Sequence, residues 1–117
     1  SRFKIISASS DSASQVINEV LSSLPKQYSL GINYPNPFNP STTIPYELMK
    51  PGYVKIIIFD LLGNEVKELV NNTKDMGKHF VVWDGRSQFG SQVSSGVYFV
   101  TMQTDTFHAN RKILLIK

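Results

Sequence analysis

The chain has 117 residues, a formal net charge of +3 and no cysteine, with 18% charged and 41% hydrophobic residues. One domain with a short appendage fits that length, and the hydrophobic share supports a core. The missing cysteine excludes disulfides, thiol catalysis and thiolate metal sites. The basic residues are scattered, with Arg111-Lys112 the longest run, so no nucleic-acid partner is expected. No stretch of about 18 apolar residues occurs, so no membrane-spanning helix is expected. Ser1 is not preceded by Met or a signal peptide, which predicts a piece of a longer protein whose signal, if it is exported, lies upstream.

Residues 1–30 read as a linker or the tail of a preceding domain. Phe3-Lys4-Ile5-Ile6 suits one short strand, and Ser7 to Ser14 is linker-like. Val16, Ile17, Val20, Leu21 and Leu24 then fall on one helical face, and Pro25 would stop it. The spacing predicts a short helix over 13–24, with an unstructured linker as the alternative.

From residue 31 the pattern belongs to a second unit, 31–117. Tyr34-Pro35-Asn36-Pro37-Phe38-Asn39-Pro40 is stiff and turn-rich, since proline fixes φ and Asn tolerates turn geometry. Period-two alternation starts at Thr43, with Ile44, Tyr46 and Leu48 on one face. Pro45 cannot donate to a ladder, which predicts an edge strand. Tyr53–Asp60 carries apolar residues at both phases, as in a central strand or one with an external contact. Leu62-Gly63-Asn64 turns the chain into Glu65–Val70, and Asn71-Asn72 opens a loop that Gly77 ends. In Lys78–Asp84, His79, Val81 and Trp83 share one face, and Phe80 and Val82 the other. If this strand neighbours Tyr53–Asp60, Ile57, Phe59, Phe80 and Val82 form one apolar patch; the upstream helix would be an alternative cover. Gly96 opens Val97–Thr104, with Tyr98, Val100 and Met102 inward, and a turn at Asp105-Thr106 leads into Phe107–Lys117. About seven short strands with regular turns predict an all-β, immunoglobulin-like antiparallel sandwich, with Trp83 in its core.

Catalytic groups are sparse. His79 reads as a core or rim residue and His108 as solvated, and no nucleophile elbow, phosphate loop or zinc pattern occurs. No catalysis and no cofactor are expected. Asp60, Asp75, Asp84 and Asp105 lie in separate turns, one carboxylate each, so a structural calcium is disfavoured. Asp84 is more simply a turn residue bonding its own backbone.

These residues together resemble a known family. Asn33-Tyr34-Pro35-Asn36-Pro37-Phe38-Asn39-Pro40-Ser41-Thr42-Thr43-Ile44 is similar to the opening of the C-terminal sorting domains of the type IX (Por) secretion system, type A class. Asp60-Leu61-Leu62-Gly63-Asn64-Glu65-Val66, Trp83-Asp84-Gly85-Arg86, Ser95-Gly96-Val97-Tyr98-Phe99 and Arg111-Lys112-Ile113-Leu114-Leu115-Ile116-Lys117 follow in the family's order, covering about 30–117. The resemblance implies a non-catalytic address domain on exported cargo. Its partners would be an outer-membrane translocon and a sortase-like surface protease, which would cleave it off. It would pass through the periplasm to the cell surface or the medium. Position assigns translocon recognition to Gly96, Tyr98, Arg111, Lys112, Leu114, Ile116 and Lys117. It assigns a structural role to Pro35, Asn36, Pro37, Phe38, Gly63, Trp83, Asp84 and Gly85. Ile113 and Leu115 would fill the core while Leu114 and Ile116 face a partner. An exposed last strand could also pair with a copy of itself as a homodimer. The alternatives are an immunoglobulin-like assembly module of flagellar hook-cap type and a carbohydrate-binding module of a secreted enzyme. Tyr34, Phe38 and Phe89 lie on loops and support a sugar platform poorly.

Overall fold

The computed structural model describes residues 27–117, so the helix expected over 13–24 and the strand expected at Phe3–Ile6 lie outside the described residues. Seven strands form two antiparallel sheets. They are β1 (Ser29–Leu30), β2 (Thr42–Leu48), β3 (Gly52–Asp60), β4 (Glu65–Lys74), β5 (Gly77–Trp83), β6 (Gly96–Gln103) and β7 (His108–Leu115). One sheet has the order β1-β2-β5 and the other β4-β3-β6-β7. Trp83, Phe38, Ile44, Leu48, Ile56, Ile58, Met102, Ile113 and Leu115 are fully buried between them. This is the all-β, immunoglobulin-like sandwich that the alternation predicts.

Burial strictly alternates along β2, which hides Thr42, Ile44, Tyr46 and Leu48. The strand is not an edge, however, because it pairs with β5 along its whole length and with β1 at Tyr46 and Glu47. Pro45 is accommodated by phase. Thr43 exchanges backbone bonds with Tyr34, and Gly31 N–H donates to the Pro45 carbonyl at 2.8 Å. Backbone groups two residues apart point to the same side, so the donor that Pro45 lacks faces the short β1 side, away from the β5 ladder.

Three further boundaries differ from the sequence reading. Ser29–Leu30 joins the sandwich, with Leu30 buried and Tyr28 stacked on Phe107 at 5.6 Å. β4 runs on through Asn71 and Asn72, which pair with Lys55 and Val54. At an exposed sheet edge, polar side chains cost little and the ladder is a backbone property. Finally, β3 and β5 belong to different sheets, so Ile57, Phe59, Phe80 and Val82 do not form one patch.

Candidate recognition surface

β7 is an edge strand of the four-stranded sheet, and its two phases have separate fates. Ile113 and Leu115 are each 1% exposed, whereas Leu114 is 36% and Ile116 49% exposed. Leu115 packs beneath the Trp83–Gly85 turn, while Leu114 stands on the outer face beside its cross-strand partner Val97. One rung further in, Lys112 is paired with Phe99, and Phe99 with Phe59. Paired residues share a face, so the outer surface carries an apolar and aromatic strip that ends on the Lys112 ammonium.

The free edge of β7 is partly occupied by the proline-rich opening. Phe38 N–H donates to the Leu114 carbonyl at 3.0 Å, and Ile116 N–H donates to the Phe38 carbonyl at 3.0 Å. Leu114 N–H donates to the Asn36 side-chain oxygen at 3.2 Å. Pro35-Asn36-Pro37-Phe38 thus stands in for a neighbouring strand, forming a parallel bridge to β7. Pro35 is anchored in turn, since its carbonyl accepts the Thr42 hydroxyl at 2.9 Å and the Asn33 amide at 3.3 Å. Asn33 and Thr42 are buried and bonded to each other at 3.0 Å, which satisfies both polar groups inside the core. Among the described residues, none pairs with the outward-facing backbone of Asn110 and Lys112, which by the same alternation points toward another strand.

The other assigned residues sort by contact. Arg111 donates from Nε to the Leu30 carbonyl at 2.6 Å, tying β7 to the opposite sheet. Lys117 N–H donates to Ser95 Oγ at 3.0 Å, just before Gly96, whose φ of +152° opens β6. Tyr98 is not at the surface. It is buried edge-on to Trp83, with ring centroids 5.2 Å apart, and its hydroxyl donates to the Ser94 carbonyl at 2.6 Å. Its place is in the scaffold, because a ring at the inward phase of a central strand has no route to a partner.

The structural motifs lie under this surface. Trp83 packs against Phe38 with centroids 5.5 Å apart, and its indole N–H donates to the Arg86 carbonyl at 2.9 Å. The Asp84 carboxylate accepts Arg86 N–H at 3.1 Å, closing the turn. Gly85 sits at φ +76°, where a Cβ would lie 2.8 Å from the Pro40 carbonyl oxygen, so both conformation and space call for glycine. At the far end of the strip, Asp60 Oδ1 accepts N–H from Leu62 at 3.0 Å and Asn64 at 2.9 Å. Gly63 completes this turn at φ +88°. The bonds from Asn64, with those from Leu62 and Gly63, hold the Asp60 carboxyl below its ordinary range. The turn leaves Leu61 and Leu62 exposed beside a shallow cleft of about 340 Å³ that Phe59 and Phe99 line.

Among the described residues no three His, Asp or Glu side chains converge as metal ligands. His79 stacks on Tyr46 with centroids 5.2 Å apart, and its Nε2 lies 2.7 Å from the Asp75 carbonyl. Burial raises the Tyr46 pKa. The residues that the sequence reading missed are Asn33, Thr42, Ser95 and the side chain of Asn36. Each looks like an ordinary turn or strand-start residue, and only its distant partner distinguishes it.

Comparison with known proteins places the fold. The family model of the FlgD Ig-like domain matches residues 42–107. No curated protein matches the chain. Among solved structures, PorZ, an essential surface component of the type IX secretion system of Porphyromonas gingivalis, is similar at TM-score 0.53 and 21% identity over 76% of this chain. The dimeric latent form of PorU from the same organism is similar at TM-score 0.62 and 18% identity over 79% of this chain. FlgD from Xanthomonas campestris, a hook-capping protein of flagellar assembly, is similar at TM-score 0.51 and 24% identity, over 86% of this chain and 73% of FlgD. The chain spans only 12% of the PorZ chain and 9% of the PorU chain.

Proposed function

We propose, from the premise that this chain belongs to the FlgD Ig-like domain family, that it is a non-catalytic sorting domain directing a cargo protein across the outer membrane by type IX secretion. The observation that carries this reading is the division of labour along β7. Ile113 and Leu115 lock the strand into the core, and Lys112, Leu114 and Ile116 are displayed. The five sequence motifs in order support the same reading, and so does a fold shared with PorZ and PorU.

A translocon must read a shape that many cargoes can carry. The apolar strip would supply contact area, and Lys112 and Lys117 would add electrostatic steering. The open backbone of Asn110 and Lys112 would offer strand pairing. A sortase-like protease would then cut upstream of the sandwich, and the cargo would reach the surface or the medium. Leu114→Ser with Ile116→Ser tests this, with a signal peptide and fluorescent reporter fused ahead of the full chain in a type IX host. Export is expected to fall at least tenfold while the domain stays folded. Unchanged export would refute the reading.

The second reading is a structural assembly module of hook-cap type, favoured by the family match and by the 73% coverage of FlgD. Reporter held in the periplasm by both the unaltered chain and the Leu114→Ser, Ile116→Ser variant, with both domains folded, would favour it.

A further inference from the structure

The outer face of the three-stranded sheet plays no part in the reading above. Its outward side chains are paired across strands: Thr43 with Val82, Pro45 with Phe80, and Glu47 with Lys78. Phe80 is 61% and Val82 57% exposed. Tyr34, paired with Thr43 and also exposed, extends the apolar strip toward the proline-rich opening. A shallow groove of about 310 Å³ runs along it, lined by Gly31, Pro45, Glu47, Lys78 and Phe80. An aromatic and β-branched patch of this kind marks a contact surface.

We infer that a second copy of this chain covers this face, in a two-fold dimer whose axis runs parallel to the strands between β2 and β5. Rotation about that axis lays β2 over the partner's β5 and leaves positions along the strands unchanged. Glu47 then meets the partner's Lys78, Pro45 meets the partner's Phe80, and Thr43 meets the partner's Val82. A two-fold interface needs a patch complementary to itself. The row of one acid and one base, followed by an apolar row and then a mixed one, meets that condition; a face of single sign would repel its own copy. Three rows of two side chains form a small patch beside the roughly 800 Å² per partner of a standard interface, so a weak dimer, with Kd on the order of tens of micromolar, is expected. This contact lies on the opposite sheet from β7, so its failure and the failure of the sorting role are separate results.

The test is a charge exchange in the full chain, read by sedimentation equilibrium over a wide concentration range. Glu47→Lys and Lys78→Glu are each expected to weaken self-association at least tenfold, since each places like charges in contact. Mixing the two variants, one of them isotope-labelled, is expected to restore association as a heterodimer seen by native mass spectrometry. That rescue cannot arise within one copy, because neither variant regains its own pair. Phe80→Ser, with its fold checked by circular dichroism, is expected to abolish the dimer. A chain monomeric at millimolar concentration would overturn the inference, and protection of Val82 in that monomer would assign the face to residues 1–26. A dimer indifferent to all three substitutions would also overturn it and place the contact elsewhere, with the β7 edge the first alternative.

Discussion

Gly85→Ala puts the packing argument to its sharpest test. The residue lies at φ +76°, and its added methyl would sit 2.8 Å from the Pro40 carbonyl oxygen and 3.9 Å from Leu115 Cδ2. A left-handed conformation costs a non-glycine residue about 1–2 kcal/mol. Forcing a methyl against fixed backbone adds about 1–3 kcal/mol. Pro40 cannot retreat freely, because the chain on one side of it is bound to β7 through Phe38 and on the other enters β2 at Thr42. A total of about 3 kcal/mol is expected, a large share of the about 5–15 kcal/mol that holds a domain folded.

Gly90→Ala is the matched control. Gly90 has φ +85° with nothing within 4 Å of its would-be Cβ, so only the conformational part of the cost applies, about 1 kcal/mol. Urea denaturation of both variants in the full chain gives the steric part by difference, expected near about 2 kcal/mol. A difference under about 0.5 kcal/mol would mean that the Trp83–Gly85 turn does not press on Pro40. The link between that turn, the proline-rich opening and the last strand would then fail with it.

Three other outcomes follow from the same contacts. Leu115→Ala should cost about 2–5 kcal/mol in urea denaturation, as buried leucine truncations do, while Leu114→Ser should cost under about 1 kcal/mol; equal costs would refute the split between phases. Asn36→Ala removes the acceptor of Leu114 N–H, so that amide should exchange with deuterium markedly faster while those of β3 and β6 do not; unchanged exchange would show that the side-chain bond is not formed in solution. The carboxyl of Asp60 is held low by donors present only in the folded turn. Its folded pKa lies below its unfolded one, so its stabilisation is full above the unfolded value and is lost as pH falls through the folded one. Carbon-detected NMR should place its titration midpoint below that of a peptide aspartate of about 3.9, and Asp60→Asn should flatten the acid limb of Tm against pH; a midpoint at the peptide value would refute the bonded turn.

What could be read from the sequence divides along a physical line. Alternation in β2 and β6 was legible because each has one face in the core, and a period of two records that directly. The inward phase of Trp83 and the outward phase of Phe80 were legible for the same reason. Sheet membership was not, since alternation says which way a side chain points and nothing about its neighbours. That is why one patch of Ile57 and Phe80 stays conditional on β3 and β5 being neighbours, and they lie on different sheets. Asn71 and Asn72 misled because Asn is depleted in strands, a preference that an exposed edge relaxes. Tyr98 misled in a different way. Its inward phase was correctly read, but its place beside a recognition motif suggested a contact that burial forbids.

The proline-rich opening holds the least legible and most consequential feature. Turn chemistry accounts for its composition, and nothing local reveals that Asn36 and Phe38 bind a strand 78 residues away. The β6 ladder sets the side-chain phases of the last strand as far as Leu115, and the bonds from Asn36 and Phe38 pin its other edge at Leu114 and Ile116. Without them Ile116, beyond the ladder, would belong to a fraying end. With them, Leu114 and Ile116 project from a strand held on both edges. A translocon that reads this surface would therefore accept the chain only after the long-range clasp has closed. On the proposed reading, Asn36→Ala should lower export more than it lowers stability, because it loosens the displayed strand while sparing the core. Export that falls only in proportion to the folded fraction would mean that the clasp serves the fold alone.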